Sequence, residues 1–196
     1  MPLQPIALNI HLPEWIDHFL HEYPTVLPSI KDRMSLVIEA SQRNVDEGTG
    51  GPFAAAVFEI ESGRLVALGV NLVTSERLSV LHAEIVALSL AQKKLGAYDL
   101  GKPDVPNHEL VTSSEPCAMC LGAIPWSGVR RVVIGARDSD VRAIGFDEGA
   151  KIETWPSELK KRGIAVIRDV ERDAAVRVLR EYAKQGGKIY NPRSPD

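Results

Sequence analysis

The chain reads as an α/β protein: a mixed β-sheet with helices on both faces. Three observations point there. Apolar residues recur at helical spacing in several segments, short β-type runs alternate with them, and the first two strands form a hairpin before strand–helix crossovers begin. The predicted order is α-β-β-α-β-α-β-α-β-α.

Ile30 to Glu47 is the first long helix, with Ser29 as its cap and Ile30, Met34, Val37, Ile38 and Val45 on one face. Gly48-Thr49-Gly50-Gly51-Pro52 ends it. Phe53–Ile60 and Leu65–Leu72 are strands joined through Glu61-Ser62-Gly63-Arg64. A loop over Val73–Val80 leads to a helix that starts at His82 and stops at Gly96. Glu109–Ser113 is a short strand feeding a second helix near Cys117, which Gly128 ends. Arg131–Ile134 is the next strand, followed by a Gly- and acid-rich loop over Asp138–Gly149. A helix near Ser157–Lys161, a strand at Ile164–Ile167 and a helix from Glu171 to Lys184 complete the domain, and Tyr190 to Asp196 is a tail. The boundaries expected are an N-terminal extension over 1–29, a domain over 30–185 and a tail over 186–196. The extension carries five prolines and a brief helix over Pro13–His21; His18 and His21 read as an exposed helix face rather than a metal pair.

Composition narrows the function classes. At 196 residues, 44% hydrophobic and 25% charged, the chain is an ordinary globular one able to bury a full core. No run approaches the roughly 18 apolar residues of a membrane helix. No secretory signal is evident, and two cysteines at metal spacing suit a reducing compartment, so the expected location is cytoplasmic. A net charge of −3 argues against a nucleic-acid partner, which needs a basic face. The densest basic cluster, Lys160-Lys161-Arg162, has Glu158 nearby and reads as a solvated helix face.

The stretch from Leu81 to Trp126 carries the chemistry. It opens on His82-Ala83-Glu84 and closes on Pro116-Cys117-Ala118-Met119-Cys120, which holds both cysteines of the chain. Two thiolates and one imidazole give three zinc ligands and leave a fourth tetrahedral position for water. Cys117 and Cys120, at i and i+3, share a helix face. Pro116 suits the first helical position, with Ser113 or Ser114 as cap, which places the thiols where the helix dipole favours the thiolate. His82 and Glu84 converge only if they lie at a helix start. Two helix N-termini are therefore expected to face one Zn2+ per subunit, with Glu84 as the acid beside it.

H-x-E followed by P-C-x-x-C is the pattern of zinc deaminases, and the chain resembles the cytidine deaminase superfamily, most closely bacterial guanine deaminases. Gly50-Gly51-Pro52-Phe53, Asn71, Leu95-Gly96-Ala97-Tyr98, Thr112 to Trp126, and Gly145-Phe146-Asp147-Glu148 carry that resemblance. It implies a three-layer α-β-α sandwich with a five-stranded mixed sheet, and a homodimer with exchanged C-terminal segments. It also implies zinc ligands at His82, Cys117 and Cys120, a proton shuttle at Glu84 and a second acid at Glu148. Asn71 would bind the base, Phe53 and Trp126 would flank its ring, and Tyr190 would close the partner's pocket. Read from the residues alone, Glu148 is a solvated loop acid and Asn71 a turn residue, while Phe53 and Trp126 are equally core and Tyr190 equally terminal packing. The implied reaction is hydrolysis of a free nucleobase, guanine to xanthine plus ammonia. The other readings are deamination of an aminotriazine, a cytosine compound or tRNA adenosine, and a catalytically silent zinc-stabilised module.

Overall fold

The structure, a computed structural model, describes residues 4–193; the outermost residues of the expected extension and tail lie outside them. Five strands form one sheet: β1 (Ala54–Glu59), β2 (Leu65–Val70), β3 (His108–Ser114), β4 (Arg131–Ala136) and β5 (Ala165–Ile167). Their order is β2-β1-β3-β4-β5. The β1 strand runs antiparallel to β2 and β3, whereas β3, β4 and β5 are parallel. This is the mixed five-stranded sheet that the sequence predicts.

Every residue of β1 and β3 is buried, which requires cover on both faces. On one face lie α2 (Ile30–Asp46) and α8 (Arg172–Lys184), and on the other α4 (Ala83–Leu95). Also on that second side, α5 (Ala118–Ser127) packs against α4. The three layers are thus those expected. Ser29 caps α2 as predicted, its Oγ accepting from Lys31 N at 3.2 Å. Gly69 lets α4 approach β2: a Cβ there would overlap the Ala87 backbone.

The elements differ from expectation in detail. The helix expected over Pro13–His21 is α1, which starts later (Trp15–His21) and places Ile16 and Phe19 in the common core. His18 and His21 are exposed and sit beside Glu22 and Asp17 on their own helix face, as expected. Two one-turn helices, α3 (Val73–Glu76) and α6 (Asp138–Arg142), occupy segments expected to be loops. Too short to show a period, they leave no helical signature. Helix α7 (Trp155–Lys161) begins two residues early, with Pro156 in its first turn. Lys161 pairs with Glu158 at 2.7 Å on its solvated face.

One core feature escapes the apolar pattern altogether. Arg33, on α2, is fully buried and forms an ion pair with Glu109 of β3, whose second oxygen pairs with Arg131 of β4. Arg33 also donates to Leu27 O at 2.6 Å and Pro28 O at 3.1 Å. The guanidinium therefore ties a helix, the sheet and the entry loop together. Arg33→Met strands these acceptors and half of the Glu109 carboxylate. Breaking a buried pair costs about 3–5 kcal/mol, and Arg131 holds the loss near about 3 kcal/mol, readable as a lowered urea midpoint with an unchanged slope.

Candidate metal centre and active site

The functional side chains come together because four strand ends meet. The N-terminal end of β1 pairs with the C-terminal end of β2 (Ala54 with Val70) and neighbours the C-terminal end of β3 (Ala55 with Thr112). The C-terminal end of β4 lies next to that of β3. Phe53 precedes β1, Asn71 follows β2, and Cys117 follows β3. This is where open α/β sheets place their ligand crevices. A cavity of about 470 Å³ opens there, lined among others by Phe53, Asn71, His82, Glu84, Cys117, Glu148 and Tyr190.

His82 is the N-cap of α4 and Cys117 the N-cap of α5, both with extended backbone. The expectation that two helix starts face one point therefore holds, with one shift of register. Pro116 lies just outside α5 rather than at its first position, and Ser113 and Ser114 complete β3 instead of capping the helix. The strand simply runs one residue further. The ligand atoms of His82, Cys117 and Cys120 all lie within 4.8 Å of one another, the one such group of metal-type side chains among the described residues. His82 Nδ1 lies 3.4 Å from Cys117 Sγ. Donors around one tetrahedral zinc, with bonds of 2.0–2.3 Å, stand roughly 3.3–3.8 Å apart, so this soft two-sulfur, one-nitrogen set fits zinc.

The electrostatics point the same way. A hydrogen bond from Cys120, aided by His82, holds the Cys117 thiol down to about 4, so Cys117 stands as a thiolate. Cys120, the donor in that bond and deeply buried, is pushed well up. His82 is raised: burial opposes its charge, but Cys117, Glu84 and Glu148 outweigh it. Burial, then the Cys117 thiolate, raise Glu84. Burial lifts Glu148 to about 8 against the pull of Lys151. Three acidic groups crowded into one buried cavity want a cation there, and metal binding releases the protons they hold.

Asn71 is buried and fixed at both ends. Its Oδ1 accepts from Val73 N at 3.2 Å, and its backbone carbonyl accepts from Asn44 Nδ2 at 3.0 Å. Trp126 is the exception among the expected site residues. It is 85% exposed at the far end of α5 and does not line this cavity. Phe146, in the Gly-Phe-Asp-Glu stretch but not singled out from the sequence, does line it. The Phe146 ring packs edge-on to Phe53 at 5.1 Å and to Tyr190 at 4.9 Å.

Tyr190 reaches the cavity of its own chain. Asn191 holds the tail there by accepting from Asp147 N and donating to Gly145 O, each at 2.8 Å. Nothing in the sequence marked Asn191, because an Asn-Pro pair near a terminus reads as a turn.

A three-layer α/β fold holding one three-ligand metal site beside a buried acid defines a zinc-dependent hydrolytic enzyme. Residues 28–136 match the model of the cytidine and deoxycytidylate deaminase zinc-binding region, and the chain belongs to that family. It is similar in structure to guanine deaminase from Nitrosomonas europaea (49% identity, TM-score 0.87, covering 93% of this chain and 100% of that one). It is also similar to NE0047 in complex with 2,6-diaminopurine (51% identity, TM-score 0.88, covering 96% and 98%). In sequence it is 41% identical to guanine deaminase of Bacillus subtilis over 104 residues, 53% of this chain and 62% of that protein.

Gly51 tests how the tail is seated. A Cβ on Gly51 would run into the Tyr190 hydroxyl and ring, so Gly51→Val expels the tyrosine. Backbone amide exchange over residues 189–191 is expected to rise in that variant, with the strand amides of β3 unchanged.

Proposed function

We propose that the chain hydrolytically deaminates a free nucleobase, converting guanine and water to xanthine and ammonia. The observation that carries this reading is the convergence of His82, Cys117, Cys120, Glu84, Asn71 and Glu148 around one cavity. His82, Cys117 and Cys120 would hold the zinc, which when bound supplies the Lewis acidity that makes water nucleophilic near neutral pH.

Glu84, in the first turn of α4, takes the proton of the attacking water and returns it to a ring nitrogen as the oxygen adds at C2. Its burial keeps bulk water from competing for that proton. Asn71, its oxygen accepting from Val73 N, presents its amide NH2 to a ring acceptor. Phe53 and Phe146 supply an apolar wall, and Tyr190 shuts the open side. Glu148 helps ammonia depart by a second proton transfer. Its backbone carbonyl accepts from Ala118 N at 2.9 Å, which ties it beside Cys117.

Similarity to guanine deaminases over nearly the whole chain supports guanine over a tRNA substrate, as does the net charge of −3. Two cysteines at metal spacing rather than in a disulfide support a cytoplasmic enzyme, and the likeness to guanine deaminases supports a role in purine breakdown. The domain spans 30–185, with the extension packed onto it and the tail closing the site. A homodimer is part of this reading. Its support is the exposed stripe of Met119, Gly122 and Trp126 on α5, an apolar face of the kind that seeks a partner. Tyr190 already lines its own cavity, so the site does not require exchange of tails.

An ammonia-release assay over guanine, adenine, cytosine, their nucleosides and aminotriazines tests the substrate. Guanine is expected to turn over fastest; a nucleoside or triazine ahead of it would refute the assignment. Glu84→Ala is expected to lower kcat by about 10²–10⁴-fold with zinc content retained. Glu148→Gln, if the residue were only a solvated loop acid, would leave guanine turnover unchanged; a fall of about 10²-fold is expected.

A further inference from the structure

Lys151 lies in the loop between α6 and α7, in a Gly-Ala-Lys-Ile stretch with no sequence signature. Its ammonium is buried, with 7% of the side chain exposed. Nζ lies beside Asp138 of α6, 3.4 Å from Glu115 Oε1 and 3.7 Å from Glu148 Oε2. It also donates to the Pro116 carbonyl at 3.1 Å. These groups come from three parts of the site. Glu115 and Pro116 form the turn that delivers Cys117, Asp138 opens α6, and Glu148 is the acid on the cavity wall.

The acids are not equally dependent on this lysine. Glu115 also accepts from Arg168 at 2.6 Å, and Asp138 from Arg142 at 2.7 Å. Among the described residues, the Glu148 carboxylate has Lys151 as its one ion-pair partner within 4.0 Å. A compact ammonium suits the position, because it can address several acceptors in different directions where a planar guanidinium presents a fixed fork.

We propose that Lys151 is a positioning residue for the reaction. Its ammonium sets the Glu148 carboxylate and the Pro116–Cys117 turn in register, so that acid and metal ligands face the same bound base. This rests on the reading of Glu148 as the second acid. The effect of Lys151 then runs through Glu148, which separates it from a residue that merely stabilises the fold.

The experiment compares Lys151→Met and Lys151→Arg in the zinc-loaded enzyme, with and without Glu148→Gln. Lys151→Gln, which keeps a donor for Pro116 O, replaces the Met variant if that one folds poorly. Lys151→Met is expected to lower kcat for guanine by about 10²-fold, the cost of a misplaced group, with KM moved less than about threefold. Lys151→Arg restores part of the loss. In the Glu148→Gln background the same change adds less than about twofold, because the two residues act as a unit. Amide exchange over 146–149 rises in Lys151→Met while zinc content and β3 protection stay as in the parent.

An equal loss in both backgrounds, or unchanged exchange over 146–149, would overturn the proposal. If the parent enzyme releases no ammonia from guanine, the functional reading fails, and the exchange comparison alone decides the role of Lys151.

Discussion

Everything at this site depends on one constraint: two sulfurs and a ring nitrogen must meet at a point inside the protein, next to a carboxyl group deprived of water. Neither cysteine nor histidine gains by such crowding on its own. The fold arranges it by ending a strand and starting a helix twice in the same place. His82 and Cys117 sit at those starts with extended backbone, and the positive ends of α4 and α5 point at the donors. A hydrogen bond within the cysteine pair then settles which sulfur ionises first. A dication completes the arrangement by neutralising a cavity that otherwise gathers Cys117, Glu84 and Glu148 without sufficient positive charge.

The remaining architecture serves that meeting point. Gly69 lets α4 lie against β2 closely enough to bring His82 forward. Asn44, at the end of α2, donates to both Gly51 O and Asn71 O, so one buried amide fixes the floor under Tyr190 and Asn71 on the cavity wall. Thr49 supports Asn44, and the Trp15 indole of the extension donates to Thr49 at 3.0 Å. The N-terminal helix is thereby connected, through side chains, to the cavity wall.

The sequence discloses some of this and conceals the rest for physical reasons. The metal ligands and Glu84 were legible because zinc chemistry demands few residue types at fixed spacings. The long helices and the strands were legible because burial imposes a period. The one-turn helices α3 and α6 were not, since a single turn has no period to detect. Arg33 was hidden because a charged residue on an apolar helix face reads as an error until its ion-pair partner Glu109, 76 residues away in the chain, is known. Lys151 and Asn191 were hidden likewise: each works through contacts between loops, where neither spacing nor composition carries information. Phe146 and Trp126 show the opposite difficulty. Both lie in recognisable stretches, but which aromatic turns inward depends on tertiary packing.

The chemistry requires a zinc held by three protein atoms and open at the fourth position. X-ray absorption at the zinc edge of the purified protein tests it most directly. One zinc per chain is expected, with two sulfur neighbours at about 2.3 Å, one imidazole nitrogen and one light atom not supplied by the polypeptide. A protein without zinc, or a zinc shell closed by a fourth protein ligand, would contradict it.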